Sequence, residues 1–423
     1  MSLLEQMTVL ARQARLASRE LALLSTAQKN SALLAMADAL MAASPDLAAA
    51  NAQDLIVGRS LHLSEAMLDR LALDPKRIAL MAHGLREVAA LPDPVGRILD
   101  ERTRPNGLRL RKLSTPIGVV VIIYESRPNV TAEAASLCLK TGNATILRGG
   151  KEALNSNQLI ARTLIAAARE AVPGFPEHAI QVVPTTDRDA IPALLSLTQY
   201  IDLCMPRGGE GLIRTVTECS RVPVIKHYKG VCHVFVDRAA DLGMAEEILF
   251  NAKCQRPSTC NAAETLLVDR PVAAEFLPRA ALRLGTKNVE FHADPEALAL
   301  LGATAKARTA TESDWSTEYN DYVLNVRIVD GVDAAIAHIH QYGSGHSDAI
   351  ITAEAATAAL FQAAVDSAAV YWNASTRFTD GNQFGMGAEI GISTDKIGAR
   401  GPMGLEELCA YKWLGYGTGQ VRA

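Results

Sequence analysis

Cys260 lies in the segment Asn251-Ala-Lys-Cys-Gln-Arg-Pro-Ser-Thr-Cys260-Asn-Ala-Ala-Glu264, and the apolar run Thr265-Leu-Leu-Val268 follows at once. A thiol on a tight Pro/Ser/Thr turn between a helical and a strand pattern sits on backbone held by packing, which suits a nucleophile. The competing reading is a small buried hydrophobe, the usual place of a solitary cysteine. Two glycine-rich turns could bind an anion: Leu147-Arg-Gly-Gly-Lys151, and Pro206-Arg-Gly-Gly-Glu-Gly211, which opens a helix. Glycines ahead of a helix N-terminus leave backbone N–H groups open to a phosphate, although such turns occur throughout α/β proteins. No G-x-G-x-x-G follows the first strand pattern at 118–123, so the usual dinucleotide fingerprint is missing.

The elements that must position these groups are set first by size. At 423 residues the chain is too long for one core, so two or three domains are expected. A formal charge of −4 and a pI near 6.2 provide no basic field for a nucleic acid backbone, which excludes that class. The cysteines at 138, 204, 219, 232, 254, 260 and 409 are odd in number, dispersed and never spaced Cys-x-x-Cys. That pattern argues against a disulfide framework and a zinc site, and for a reducing compartment. His338 and His340, two apart on a helical pattern, face different ways, so no metal site is expected. There is no basic stretch leading an apolar core and no apolar run near a membrane span, and a cytoplasmic protein is expected.

The first ninety residues read as helices, with Ser44-Pro45 and Asp74-Pro75 as starts and Gly58 as the end of the helix begun at Pro45. Alternating apolar and charged residues at 97–103 and 108–113 flank Arg104-Pro-Asn-Gly107 and predict a two-stranded hairpin. Its basic residues are either a solvated face or part of a dimerisation arm. Strand patterns then alternate with helical ones: strands at 118–123, 144–147, 180–183, 201–205 and 222–225, helices at 131–140, 152–171 and 209–219. A second series runs from Val234 through 263–268, 322–329, 349–352 and 370–372, so a second domain is expected to begin near 230. Alternation at this spacing requires parallel sheets with helices on their faces.

These pieces together resemble the aldehyde dehydrogenase superfamily, over essentially the whole chain. The resemblance rests on Tyr124-Glu-Ser-Arg-Pro-Asn-Val-Thr131, Lys226-His-Tyr-Lys-Gly-Val-Cys-His233, the Cys260 segment, and the tail from Ser375-Thr-Arg-Phe-Thr-Asp-Gly-Asn-Gln-Phe384 through Gly401-Pro-Met-Gly-Leu-Glu-Glu-Leu408. It is to the branch that reduces L-glutamyl 5-phosphate to the semialdehyde with NADPH and releases phosphate, the second step of proline synthesis. It implies an aldehyde dehydrogenase-like α/β fold of two parallel-sheet domains with a β-hairpin oligomerisation arm. The implied division is an NADP-binding domain at 1–96 and 116–230, a catalytic domain at 231–374, and arm plus C-terminal segment at 97–115 and 375–423. A homodimer or higher homo-oligomer follows from the same resemblance. No kinase segment is visible, so a glutamate 5-kinase is the expected source of the acyl phosphate.

The resemblance places the nucleophile at Cys260 rather than Cys254, and the chemistry explains the thiol. Sulfur attacking an acyl phosphate leaves a thioester, which stays electrophilic enough to accept hydride. The implied oxyanion donors are the Cys260 backbone N–H and the amide of Asn129. Where hydrolytic relatives carry a glutamate base, this sequence has His227-Tyr-Lys-Gly-Val231, and His227 is read as packing in preference to a weak base. The implied NADP(H) contacts are Arg148 and Lys151, cations suited to a 2′-phosphate, with Gly208 and Gly209 near the nicotinamide and Glu318 on its ribose. Arg256, Arg127 and Arg377 remain equal candidates for the glutamyl α-carboxylate, and Asp380 and Glu125 for its ammonium. A hydrolytic dehydrogenase, or a cysteine acyltransferase pairing Cys260 with His227 or His233, are the alternatives.

Overall fold

A computed structural model describes residues 1–303 and 305–422. The chain forms two compact units, one of residues 1–226, 385–391 and 403–423, the other of 227–384 and 392–402.

The first unit opens with helices Leu3–Leu21, Thr26–Ala42, Ser44–Ser60, Glu65–Leu71 and Pro75–Ala90. Ser2 and Ser25 start the first two with capping boxes completed by Glu5 and Gln28, and Asp74 caps the fifth. Gly58 does not end the third helix, which continues to Ser60. The glycine serves packing instead, since a Cβ there would lie 3.1 Å from Leu68 and Leu71 side-chain carbons.

Behind the helices lies a four-stranded parallel sheet in the order Ile180–Val182, Ala144–Arg148, Val119–Tyr124, Leu203–Arg207. All six residues of Val119–Tyr124 are buried, as an apolar run covered on both faces must be. The strand expected at 222–225 is not formed: Cys204 and Val224 make only an isolated bridge, with Cys204 N–H donating to the Pro223 carbonyl at 2.9 Å. Pro223 has no N–H to extend a ladder.

The hairpin pairs Ile98–Thr103 with Arg109–Pro116 around Gly107 at φ +81°. A third strand absent from the sequence reading, Cys409–Tyr416, lies antiparallel along the other edge of Arg109–Pro116. It also changes the reading of the basic face as merely solvated: the Lys112 ammonium lies 3.7 Å from the Tyr411 ring centre and the Arg109 guanidinium 4.9 Å from that of Tyr416.

The second unit is built on a seven-stranded parallel sheet, ordered Ala307–Thr309, Glu290–Ala293, Val323–Val329, Ala263–Asp269, Cys232–Val236, Ser347–Ile351, Ala369–Trp372. Its first two strands escaped the sequence pattern because they are short and carry charged or imidazole groups, as in Glu290-Phe-His-Ala293. Helices Leu242–Cys254 and Arg270–Gly285 pack on the central strands through Leu249, Phe276, Leu277, Leu266 and Val326. Residues 375–384 and 392–402, assigned from sequence to the C-terminal segment, cluster with this unit. The cause is local: Thr376 Oγ1 donates to the Asn261 carbonyl at 2.7 Å, and Asn261 Nδ2 donates to the Thr379 carbonyl at 2.9 Å. No single helix among the described residues is long and apolar enough to cross a membrane, and the one helix pair that would qualify jointly is bent by 69°.

Candidate active site

Cys260 lies just past helix Leu242–Cys254 and just before strand Ala263–Asp269. Its turn is closed by Ala262 N–H donating to the Thr259 carbonyl at 2.9 Å, and Thr259 Oγ1 donates to the Arg256 carbonyl at 2.8 Å. The Thr376–Thr379 segment grips the next residue, Asn261, from outside. From the other side Gly230 packs directly on the Cys260 backbone: a Cβ at 230 would stand 1.7 Å from the Cys260 carbonyl oxygen. Gly230 is not among the glycines with positive φ, so contact rather than conformation demands glycine there. The half-buried thiol is thereby carried on backbone with little freedom to move.

Around that sulfur the structure gathers groups the sequence had kept apart. The ligating atoms of His227, Cys260 and His346 all lie within 4.8 Å of one another. His227, read from sequence as packing, therefore belongs to the site, although no spacing pattern marks residues 33 and 86 positions from Cys260. His227 Nδ1 lies 2.8 Å from the Ile392 carbonyl, which can only accept, so the neutral ring carries its proton on Nδ1 and turns a lone pair out at Nε2. His346 Nδ1 lies 2.9 Å from Ser347 Oγ and 3.8 Å from Cys232 Sγ. Cys232 donates its own S–H to the Cys260 carbonyl at 3.3 Å, which leaves its sulfur to accept from His346. His346 is fully buried, and its Nε2 has no hydrogen-bond partner among the described residues. Burial, with His227 alongside, pulls the His346 pKa down to about 3, so the ring is neutral at working pH.

The other cysteines of this unit are poorly suited to attack. Burial pushes the Cys254 thiol up to about 11 and that of Cys232 well above its usual range. Glu264, the acidic residue nearest in sequence, is not a free base: its Oε2 accepts from Lys253 at 2.8 Å, and burial lifts it to about 7 against the pull of that ammonium. Lys229, within the stretch that replaces the hydrolytic glutamate, donates to the Ser316 carbonyl at 2.6 Å.

The substrate-carboxylate candidates separate. Arg377 donates through Nε to Gln255 at 2.9 Å and through Nη1 to Asn261, so it is tied to both ends of the nucleophile turn. Burial lowers its pKa, while Asp380 and the Cys260 sulfur favour its charged form. Arg256 is an exposed residue of the same turn. Arg127 belongs to the first unit, where burial and the nearby Arg70 and Arg207 lower its pKa. Asp380 Oδ1 accepts from the backbone N–H groups of Asn382 and Gln383 at 3.0 and 3.2 Å, which holds it in its own turn. Glu318 is half-buried in the second unit and contributes charge to the surroundings of Glu264.

In the first unit, Arg148 and Lys151 stand where strand Ala144–Arg148 passes into the helix at Leu154–Ala171. Arg148 donates to the Gly149 carbonyl at 2.6 Å, and its buried Nε has no partner among the described residues. Burial lowers its pKa, and Arg188, a cation the sequence reading missed, adds to the effect. Asn157, buried beneath Gly149, likewise has an unpartnered Nδ2. At the Gly208–Gly209 turn the Gly209 N–H already donates to Glu125 at 3.0 Å, so the turn is not an open anion site. Glu125 is thus engaged in its own unit, and only Gly209, where a Cβ would meet nothing within 4 Å, leaves room for close approach. Asn129 begins helix Asn129–Lys140, and its amide donates to Glu133 at 2.7 Å.

A thiol on a clamped turn at the start of a strand in a parallel sheet, flanked by imidazoles, is an arrangement suited to a cysteine nucleophile that forms a thioester. The aldehyde dehydrogenase family profile matches residues 4–314, and the chain belongs to that family. It is 54% identical over 423 residues to a γ-glutamyl phosphate reductase of Opitutus terrae, covering all of this chain and 99% of that one. It is 55% identical over 410 residues to that of Moorella thermoacetica, covering 97% of each. The crystal structure of γ-glutamyl phosphate reductase from Thermotoga maritima, 43% identical, superposes with a TM-score of 0.96 over 99% of this chain and 100% of that one. Within the family, the chain is a member of the γ-glutamyl phosphate reductases.

Proposed function

We propose that this enzyme reduces L-glutamyl 5-phosphate to L-glutamate 5-semialdehyde with NADPH, releasing phosphate, through a thioester on Cys260. The single observation that carries this reading is the Cys260 turn, fixed by Gly230 on one side and by Thr376–Thr379 on the other, in a chain so similar to proteins of that name. His227 Nε2 takes the thiol proton, and Arg377 favours the thiolate that results. The sulfur bonds to the acyl carbon, and the bond from that carbon to the phosphate oxygen breaks, the phosphate leaving with the electron pair. The Cys260 backbone N–H steadies the oxyanion of this step. The same role proposed for Asn129 requires its amide to leave Glu133.

The absence of a glutamate in the stretch 227–231 protects the thioester from activated water, while phosphate, already anionic, needs no base to re-enter. NADPH, when bound, supplies the hydride that reduces the thioester. Arg148 and Lys151, with Arg188 alongside, suit its 2′-phosphate, and the unpartnered Arg148 Nε and Asn157 Nδ2 are the donors that fit a bound nucleotide. Gly208, Gly209 and Glu318 are proposed for the nicotinamide end. Seven cysteines with no disulfide among the described residues accord with the cytoplasm, where a glutamate 5-kinase would supply the labile substrate. The exposed Tyr411 and Trp413 of the three-stranded arm support a homodimer or higher homo-oligomer.

The reaction run backwards tests the reading. Semialdehyde and NADP⁺ alone should yield no more than one equivalent of NADPH per Cys260, with sustained formation only when phosphate or arsenate is added. Steady NADPH formation without either would establish hydrolytic chemistry instead.

A further inference from the structure

We propose that Cys260 Sγ, His227 Nε2 and His346 Nε2 form a three-ligand site for a thiophilic divalent cation of the zinc class, whose binding takes the thiol out of use.

The three residues come from separate stretches of one unit, and one ligating atom of each, a ring nitrogen for the histidines and Sγ for Cys260, lies within 4.8 Å of the others. A tetrahedral ion would draw them to roughly 3.3–3.6 Å, given metal–sulfur and metal–nitrogen bonds of about 2.3 and 2.0 Å, a small movement for side chains. The surroundings are those of metal-binding imidazoles. Each ring has a polar partner at Nδ1, the Ile392 carbonyl for His227 at 2.8 Å and Ser347 Oγ for His346 at 2.9 Å; the carbonyl can only accept, which leaves Nε2 as the lone-pair atom of His227, and Nε2 is the unengaged nitrogen of His346. His346 Nε2 is buried and lacks a partner among the described residues, an unmet demand that a metal would satisfy. Two imidazoles and a thiolate leave the fourth position open, as at catalytic rather than structural zinc sites. On binding, the Cys260 S–H bond breaks, its proton passes to solvent and a sulfur–metal bond forms, with no change of oxidation state. Binding itself does not depend on the proposed reaction. Its consequence, loss of turnover, rests on Cys260 being the nucleophile.

The test is titration of the metal-stripped enzyme with CdCl₂, followed in the ultraviolet by the thiolate-to-cadmium charge-transfer band. The band should saturate at one ion per chain, vanish in Cys260→Ser, and need at least about tenfold more cadmium in His346→Gln. In the unaltered enzyme, ZnCl₂ should slow alkylation of Cys260 by iodoacetamide and EDTA should restore it, a readout that needs no variant to fold. Turnover blocked by ZnCl₂ in step with that protection would support the consequence as well. A band that survives in Cys260→Ser, a titration unchanged in His346→Gln, or alkylation indifferent to ZnCl₂ would overturn the proposal. Protection of Cys260 without loss of turnover would leave the site standing and refute Cys260 as nucleophile.

Discussion

Gly230→Ala is the sharpest mechanical test of the site. The added Cβ would lie 1.7, 2.5 and 2.7 Å from the carbonyl oxygen, carbonyl carbon and Cα of Cys260. Ordinary contact for such a carbon begins near 3.4 Å, so the two backbones must part by about 1.7 Å at the oxygen. The Cys260 side has little slack, because Asn261 is tied to the Thr376 hydroxyl and the Thr379 carbonyl and the turn is closed at Ala262. Displacing a reacting group by about 1 Å costs on the order of 10²-fold in rate, so turnover should fall by at least that factor. Gly230 lacks a positive φ, so alanine introduces no dihedral strain of its own there. The assay is single-turnover NADPH oxidation, paired with the iodoacetamide rate at Cys260 and NADPH affinity by fluorescence. Slow chemistry and altered alkylation with NADPH binding within a few-fold are expected. Wild-type turnover in Gly230→Ala would show that the turn yields easily, and the reasoning about a fixed nucleophile would fail.

Lys151→Glu should shift the ratio of NADPH to NADH affinity against NADPH by about tenfold or more, and an unchanged ratio measured by fluorescence titration would move the 2′-phosphate site elsewhere. His338, buried and accepting from Arg327 at 2.9 Å, has its pKa lowered to about 2 by burial, with His233 and Arg327 adding to the effect. A folded-state pKa below the unfolded value of about 6.5 means its stability contribution is present above pH 6.5 and is lost as pH falls toward 2, about 2 kcal/mol of it by pH 5. Urea unfolding at pH 7.5 and pH 5 should show that loss in the native protein and a smaller one in His338→Phe; equal losses would place the acid sensitivity elsewhere.

Much of this organisation was legible in the sequence because it follows from local pattern. The apolar run Val119–Tyr124 reads as a doubly covered parallel strand, and Pro-Asn-Gly between alternating segments reads as a hairpin. Short strands such as Ala307–Thr309 carry too little pattern to be seen, and the partner strand Cys409–Tyr416 is joined to the hairpin only by tertiary pairing. The same division holds at the site. Cys260 stands out from its own turn as a candidate nucleophile, whereas the roles proposed for Arg148 and Lys151 come from the family resemblance, since glycine-rich turns of that kind occur throughout α/β proteins. His346, Gly230 and the seating of Arg377 on the nucleophile turn do not stand out, since their meaning lies in contacts across long stretches of chain. Glu125 shows the converse: a residue free by sequence to bind substrate is engaged by the Gly209 N–H of its own unit.

The central claim is a covalent bond between the glutamyl group and one sulfur. Peptide mass mapping of the enzyme after incubation with semialdehyde and NADP⁺ in the absence of phosphate tests it most directly. The account predicts a glutamyl adduct on the peptide carrying Cys260, lost when phosphate is added. An adduct on any other side chain, or none while NADPH still appears, would contradict it.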